Sequence, residues 1–243
     1  MRSSTRERVR AVWSRAVGVS AEDLVGGGCW VVTRPEAAGL VVGRLDDALV
    51  VVCPTGLRAD VDAIVERDGT DALMQPEVWL AAWPERAVTL SGPTVHCYRD
   101  DVVGLGRPDH RVQVAPPGFR RALDRLERTV APEEWREAGF DDPGLVFTLH
   151  DDHRLVAAAH LSVWDGHLTD MGFITGPRVR GRGYGTVVAV AAAHEAISRH
   201  GVARWRTRAS NLASLAVSRR LGFEPMGTNL RIRFDDDTAA ARG

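Results

Sequence analysis

Residues 178–186, RVRGRGYGT, stand between an alternating segment, HLTDMGFIT at 167–175, and a helix expected over about 184–200, YGTVVAVAAAHEAISRH. The reading of these nine residues decides the fold. A helix N-terminus offers backbone N–H groups with no partner inside the helix, at the positive end of its dipole. Glycine at Gly181, Gly183 and Gly185 lets a bulky anion approach the main chain with no Cβ atom in between. Arg178, Arg180 and Arg182 add positive charge around the same rim. The ligand chemistry that suits such a turn is a diphosphate.

Two common diphosphate-binding patterns fit poorly. A dinucleotide fingerprint requires a third glycine three residues after Gly183, where Thr186 stands. A P-loop requires Gly-Lys before Ser or Thr, and all 31 basic residues of the chain are arginine. The absence of lysine also disfavours Schiff-base chemistry. A net charge of -1 predicts no general attraction to nucleic acid or an anionic membrane, so an anion must be held by local geometry. Three widely spaced cysteines, Cys29, Cys53 and Cys97, suggest reduced thiols rather than a disulfide framework or a zinc site. No apolar run approaches the roughly 20 residues of a membrane span, and the N-terminus has no signal-like apolar core. A soluble, cytoplasmic protein is expected.

Working outward from the loop, three segments precede it: LVFTLH, RLVAAAHLSVW and HLTDMGFIT, with Asp or Gly between them. They predict antiparallel hairpins rather than alternating strand and helix. After the long helix, closed by Gly201, VARWRTRA alternates Arg204, Arg206 and Arg208 against Trp205 and Thr207, the pattern of a half-exposed strand with its arginines in solvent. A short helix led by Ser210 or Asn211 ends at Gly222, and TNLRIRF forms a last strand. Upstream, Phe119, Ala122, Leu123, Leu126 and Val130 mark an amphipathic helix, and Pro132 opens another that contains Trp135.

This arrangement resembles the GCN5-related N-acetyltransferase (GNAT) family. The family's signature is Arg or Gln, two residues, Gly, one residue, then Gly or Ala; Arg180, Gly183 and Gly185 match it. The family's next feature, a strand and an Asn-led helix closing with Gly-Phe, is matched by NLASLAVSRRLGFEPMG, with Asn211, Ser214, Leu221, Gly222 and Phe223. The resemblance covers about residues 118–234. It implies an α/β (α+β) fold, a mixed and mostly antiparallel sheet flanked by helices, with acetyl-CoA as co-substrate and no metal.

The resemblance also implies a site. The diphosphate lies on the amides of Arg180, Gly181, Arg182, Gly183, Tyr184, Gly185 and Thr186, and Asn211 belongs to the same cofactor-binding set. The pantetheine arm runs beside Gly172, Phe173, Ile174 and Thr175 in a splay between strands, where a main-chain N–H polarises the thioester carbonyl. The acceptor is a primary amine of a small molecule or peptide, and it attacks directly. Asp170 stands near where the family often places a carboxylate and is the candidate general base; His160 and His167 are weaker candidates. The family's thiolate-protonating tyrosine falls at Ser218, a much weaker acid than a phenol.

The first half predicts a helix over 5–17 capped by Ser4 and Glu7, a second cap at Ser20, three valine-rich strands, a helix over 57–68 and two further strands, AVTLSG and TVHCYR. Residues 1–110 form an N-terminal α/β lobe, read as a degenerate or partial second copy of the fold that helps wall the acceptor pocket. The Gly/Pro-rich stretch 104–118 is the linker, 118–234 the acetyltransferase domain, and 235–243 a solvated tail. His150 and His153, with Asp151 and Asp152, fall in a hairpin turn and suit a solvated loop better than a metal site. The tryptophans, Trp79 and Trp83 among them, suit core packing. A homodimer is compatible with the sequence. The rival functional reading is an acyl-CoA-binding sensor with weak or lost catalysis.

Overall fold

The computed structural model describes residues 1–116 and 119–234. The tail expected at 235–243 lies outside them. The chain divides into two compact units: Cys97–Thr207 with Leu212–Glu224 and Met1, and Arg2–His96 with Arg208–Asn211 and the chain from Pro225 onward. The division falls at His96/Cys97, not in the Gly/Pro-rich stretch. That stretch instead supplies strand β5, Gln113–Val114, which pairs with β6.

The unit beginning at Cys97 is built around the hairpins read from the sequence. Strands β6 (Leu145–Asp151), β7 (Arg154–Trp164) and β8 (His167–Thr175) are antiparallel neighbours, and β9 (Ala203–Arg208) lies parallel to β8. The order in this unit is β9-β8-β7-β6-β5. The two hairpins turn at Asp152–His153 and Asp165–Gly166, all four residues with positive φ. Such turns match the twist of the flanking strands.

Helices α5 (Arg120–Glu127) and α6 (Pro132–Ala138) cover one face of this sheet. Leu123, Leu126, Trp135 and Phe140 pack there on Ala158 and Ile174. Side chains alternate along a strand, so Phe173 and Thr175 point to the opposite face. On that face lies α7 (Tyr184–His200), whose Gly185 sits against both of them. Helix α8 (Leu212–Arg220) is tied to β9 by the Trp205 indole, which donates to the Ser214 hydroxyl at 3.1 Å and meets Phe223 edge-on at 5.2 Å.

The other unit has helices α1 (Ser3–Val17), α2 (Ala21–Gly26), α3 (Arg58–Asp68) and α4 (Pro76–Ala82), and strand order β1-β3-β2-β10. Its strands are Gly28–Thr33, Leu40–Leu45, Ala48–Cys53 and, for β10, Glu224–Phe234. Ser20 caps α2 as read, accepting from the Asp23 amide at 3.1 Å. The Ser4–Glu7 cap does not form, because α1 starts two residues earlier, at Ser3, and takes Ser4 into its first turn. Trp79 is fully buried in this unit's core, donating to the Leu73 carbonyl at 2.7 Å, and Trp83 stacks on it.

Two glycines that look like breaks are close-approach sites instead. The two segments AVTLSG and TVHCYR form one strand, β4 (Val88–Arg99), which passes through Gly92 and Pro93. A Cβ at Gly92 would stand 2.7 Å from the Asn229 carbonyl oxygen. Strand β10 likewise runs through Gly227, where a Cβ would stand 2.7 Å from the Trp13 ring. Both units run helix, helix, three strands, helix. In the first-described unit the three strands form a meander, whereas here β1 lies parallel to β3 and β2 flanks β3 on the other side. Similar element order thus accompanies different pairing.

Candidate active site

Helix α7 starts directly after Gly183, which adopts a left-handed conformation at φ 82°. No side chain caps it. Its first helical bond is Val187 N–H to the Gly183 carbonyl at 3.1 Å, so the first-turn amides have no acceptor within the helix. Gly181 and Gly183 both have positive φ, and a Cβ on either would meet nothing within 4 Å. The outer side of the turn is bare. Gly185 differs: its Cβ would lie 2.8 Å from Thr175 Oγ1 and 3.1 Å from the Phe173 ring. That glycine seats the helix on the strand.

The rim is charged but not uniformly so. Arg178, Arg180 and Arg182 are exposed. Arg180 is drawn to Glu134 in the first turn of α6, with Nη2 to Oε2 at 2.8 Å, and its Nε donates to the Thr175 carbonyl at 3.4 Å. The Arg180 guanidinium holds the Glu134 carboxyl below its usual range. Tyr184 donates its hydroxyl to Asp151 Oδ2 at 2.9 Å across the loop. Glu134 gave no signal in the sequence, because its partner lies 46 positions away.

Beside the loop the sheet opens. Strands β8 and β9 are in register only at Asp170–Arg204 and Met171–Trp205. Gly172, Phe173, Ile174 and Thr175 continue β8, and Arg206 to Arg208 continue β9, with no registered pair between them. A parting of parallel strands therefore starts at Gly172 and runs toward the loop.

The start of that parting carries a buried polar group. Asp170, 4% exposed, accepts Nε and Nη2 of Arg206 at 3.2 and 2.8 Å and Nη1 of Arg204 at 3.3 Å. Arg204 also lies over the Trp164 ring, 5.3 Å from its centroid. The arginine face of β9, read as solvated, is instead turned onto this carboxylate at two of its three positions. The base role read for Asp170 calls for a carboxylate open to a proton; here both oxygens are engaged by guanidinium N–H groups.

His160 sits next to this group on β7, paired with Gly172. Its Nε2 donates to the Ala138 carbonyl at 2.8 Å, and Phe140 meets the ring edge-on at 4.6 Å. Nδ1 is buried with no hydrogen-bond partner among the described residues. Burial lowers the proton affinity of the ring, Asp170 partly opposes that effect, and Arg206 adds to it. The result is a neutral imidazole with a bare lone pair. His167 is stacked with His200 at 5.1 Å, at the opposite end of β8 from the loop.

Ser218 is fully buried, and its hydroxyl donates to the Leu215 carbonyl at 3.0 Å inside α8. Its other neighbour is the buried Cys97 thiol, which burial pushes up and the Ser218 hydrogen bond draws down. A short, buried hydroxyl bonded back to its own helix adds to the weakness of serine as an acid at this position. Asn211 directly precedes α8; it groups with the N-terminal unit, and its amide donates to the Arg208 carbonyl at 3.0 Å.

A bare helix N-terminus joined to a parting in a mixed sheet defines an α/β domain with an anion-receptive turn. Residues 114–223 match the model of the acetyltransferase (GNAT) family, and this part of the chain is a GNAT acetyltransferase domain. No curated protein matches the sequence. Among solved structures, a GCN5-related N-acetyltransferase from Kribbella flavida aligns over 95% of both chains, with 15% identity and a TM-score of 0.50. A GNAT-family protein from Novosphingobium aromaticivorans aligns over 60% of this chain at 19% identity and a TM-score of 0.47. A GNAT-family acetyltransferase from Colwellia psychrerythraea aligns over 65%, at 18% and 0.47. The chain spans 64% and 61% of the lengths of these last two. The GNAT family uses acetyl-CoA as its co-substrate.

Proposed function

We propose that the protein moves an acetyl group from acetyl-CoA to a primary amine of a small molecule or peptide. The observation that carries this reading is the uncapped N-terminus of α7, open on its outer side, beside the parting of β8 and β9. The amides of 180–186 would receive the diphosphate. The pantetheine arm would lie along Gly172–Thr175, bringing the thioester near the Gly172 amide, which can stabilise charge on the carbonyl oxygen. Acetyl-CoA supplies the activated acyl group. The amine nitrogen bonds to the carbonyl carbon, the C–S bond breaks, and coenzyme A leaves as the thiol with the proton the amine gives up.

A second reading, an acyl-CoA-binding sensor, draws support from the burial of Ser218 where the family places its acid. Release of free thiol from acetyl-CoA, followed over a panel of primary amines, decides between them. Amine-dependent release supports the transferase. Tight acetyl-CoA binding with no amine-dependent release supports the sensor.

A further inference from the structure

The parting of β8 and β9 is closed at the end away from the loop. Met171 and Trp205 are its last registered pair, and Phe173 lies two residues further along β8. Side chains alternate along a strand, so Met171, Phe173 and Trp205 share the face covered by α7 and α8. There the Phe173 and Trp205 rings meet across the gap, with centroids 4.9 Å apart at a tilt of 57°. One ring comes from each strand. Together they wall off the α7 side of the parting where it starts.

The wall is held in place. Trp205 is buried, its indole N–H is bonded to the Ser214 hydroxyl, and Phe223 meets its ring edge-on. Behind Phe173 stands the first turn of α7, so close that a Cβ on Gly185 would lie 3.1 Å from the ring. On the other face of β8, the room over Gly172 is taken by the His160 imidazole and the Ala138 carbonyl. Solvent reaches this end over Arg206, which is half-exposed and bonded to the buried Asp170. The slot therefore has a blind end with packed rings on one face and a polar exit on the other.

Resting on the placement of the pantetheine arm along Gly172–Thr175, we propose that Phe173 and Trp205 set the length of the acyl group, closing the slot after two carbons. An acetyl group needs room for one methyl beyond the thioester carbon. Each further methylene must displace a ring that is packed from behind, or turn out over the Arg206–Asp170 pair. The first route strains the wall. The second strips water from ionic groups and gains no apolar contact. Discrimination by a single methylene in an apolar pocket is worth about tenfold or more.

The test measures binding and does not depend on turnover. The full-length protein is titrated by calorimetry with coenzyme A and with acetyl-, propionyl-, butyryl- and hexanoyl-coenzyme A, with no amine present. Each thioester's affinity is divided by that of coenzyme A, which cancels any change at the diphosphate turn. The parent should bind acetyl-coenzyme A about tenfold or more tighter than butyryl-coenzyme A. Phe173→Ala removes one ring and should bring that ratio close to one. Phe173→Leu, which keeps an apolar side chain against α7, should give a ratio between the two. A parent that binds all four thioesters equally overturns the proposal, as does a ratio unchanged in Phe173→Ala. Should the alanine variant fail to fold, an unchanged ratio in Phe173→Leu overturns it instead. No binding of coenzyme A by the parent overturns the placement of the arm and this proposal together, whereas bound coenzyme A with equal thioesters overturns this proposal alone.

Discussion

His160 and Gly172 are a registered pair across β7 and β8, and the imidazole fills the room that the missing side chain of Gly172 leaves. A Cβ on Gly172 would stand 2.4 Å from His160 Nε2 and 2.0 Å from the Ala138 carbonyl oxygen. The second contact is backbone, which cannot swing aside. Gly172→Ala should therefore force α6 away from the sheet, costing about 1–3 kcal/mol by overpacking. Denaturant unfolding of the variant against the parent checks this, and an unchanged midpoint would show that α6 is not seated on Gly172.

His160 gives the fold a pH dependence of known sign. Its proton affinity when folded is depressed by burial from the ordinary 6.5. As pH falls through that value, the unfolded chain takes up a proton that the folded chain refuses. Stability from this residue is thus complete above 6.5 and lost below it, until the folded pKa is reached. His160→Gln keeps a donor for Ala138 and removes the titration. Its melting temperature should fall less steeply than the parent's on acidification below 6.5.

The carboxylate of Asp170 holds one largely buried arginine and one half-exposed one. Asp170→Asn takes the carboxylate charge away from both guanidiniums, one of them largely buried. Breaking a buried pair in this way costs on the order of 3 kcal/mol, the lower end of such losses because Arg206 reaches water. Thermal unfolding should register the loss even with no substrate present. A variant as stable as the parent would mean that the two arginines do not depend on the Asp170 charge.

Glu134 competes for Arg180 at the rim of the loop. Glu134→Gln removes a negative charge from beside the anion-receptive turn and frees the guanidinium. Coenzyme A should then bind more tightly by about two- to fivefold, the range of an exposed ion pair. The gain should shrink as salt is raised. Weaker binding in the variant would show that Glu134 supports the turn rather than competing at it.

The sequence made the meander and the loop readable, and hid the parts that depend on register. The bounds of β7, β8 and α7 follow from alternation, Asp/Gly turns and the glycine that closes the helix, all of them local signals. Gly92 and Gly227 look like turns because the reason for a glycine, a neighbouring carbonyl or Trp13, lies far along the chain. The same limit applies to the site. Glycines 181 and 183 announce an open turn by themselves. That Arg204 and Arg206 grip Asp170, that His160 covers Gly172, and that Ser218 faces inward all require knowing which strands are neighbours and which way a helix is turned.

The most direct test of the account is a calorimetric titration of coenzyme A into the parent and into Gly183→Val, with Gly183→Ala as the control for backbone strain, about 1–2 kcal/mol at a left-handed position. If bare amides at the start of α7 hold the diphosphate, the valine variant should bind coenzyme A at least about tenfold more weakly than the alanine variant. Coenzyme A bound as tightly by Gly183→Val as by the parent would contradict the assignment of that turn and the transferase reading built on it.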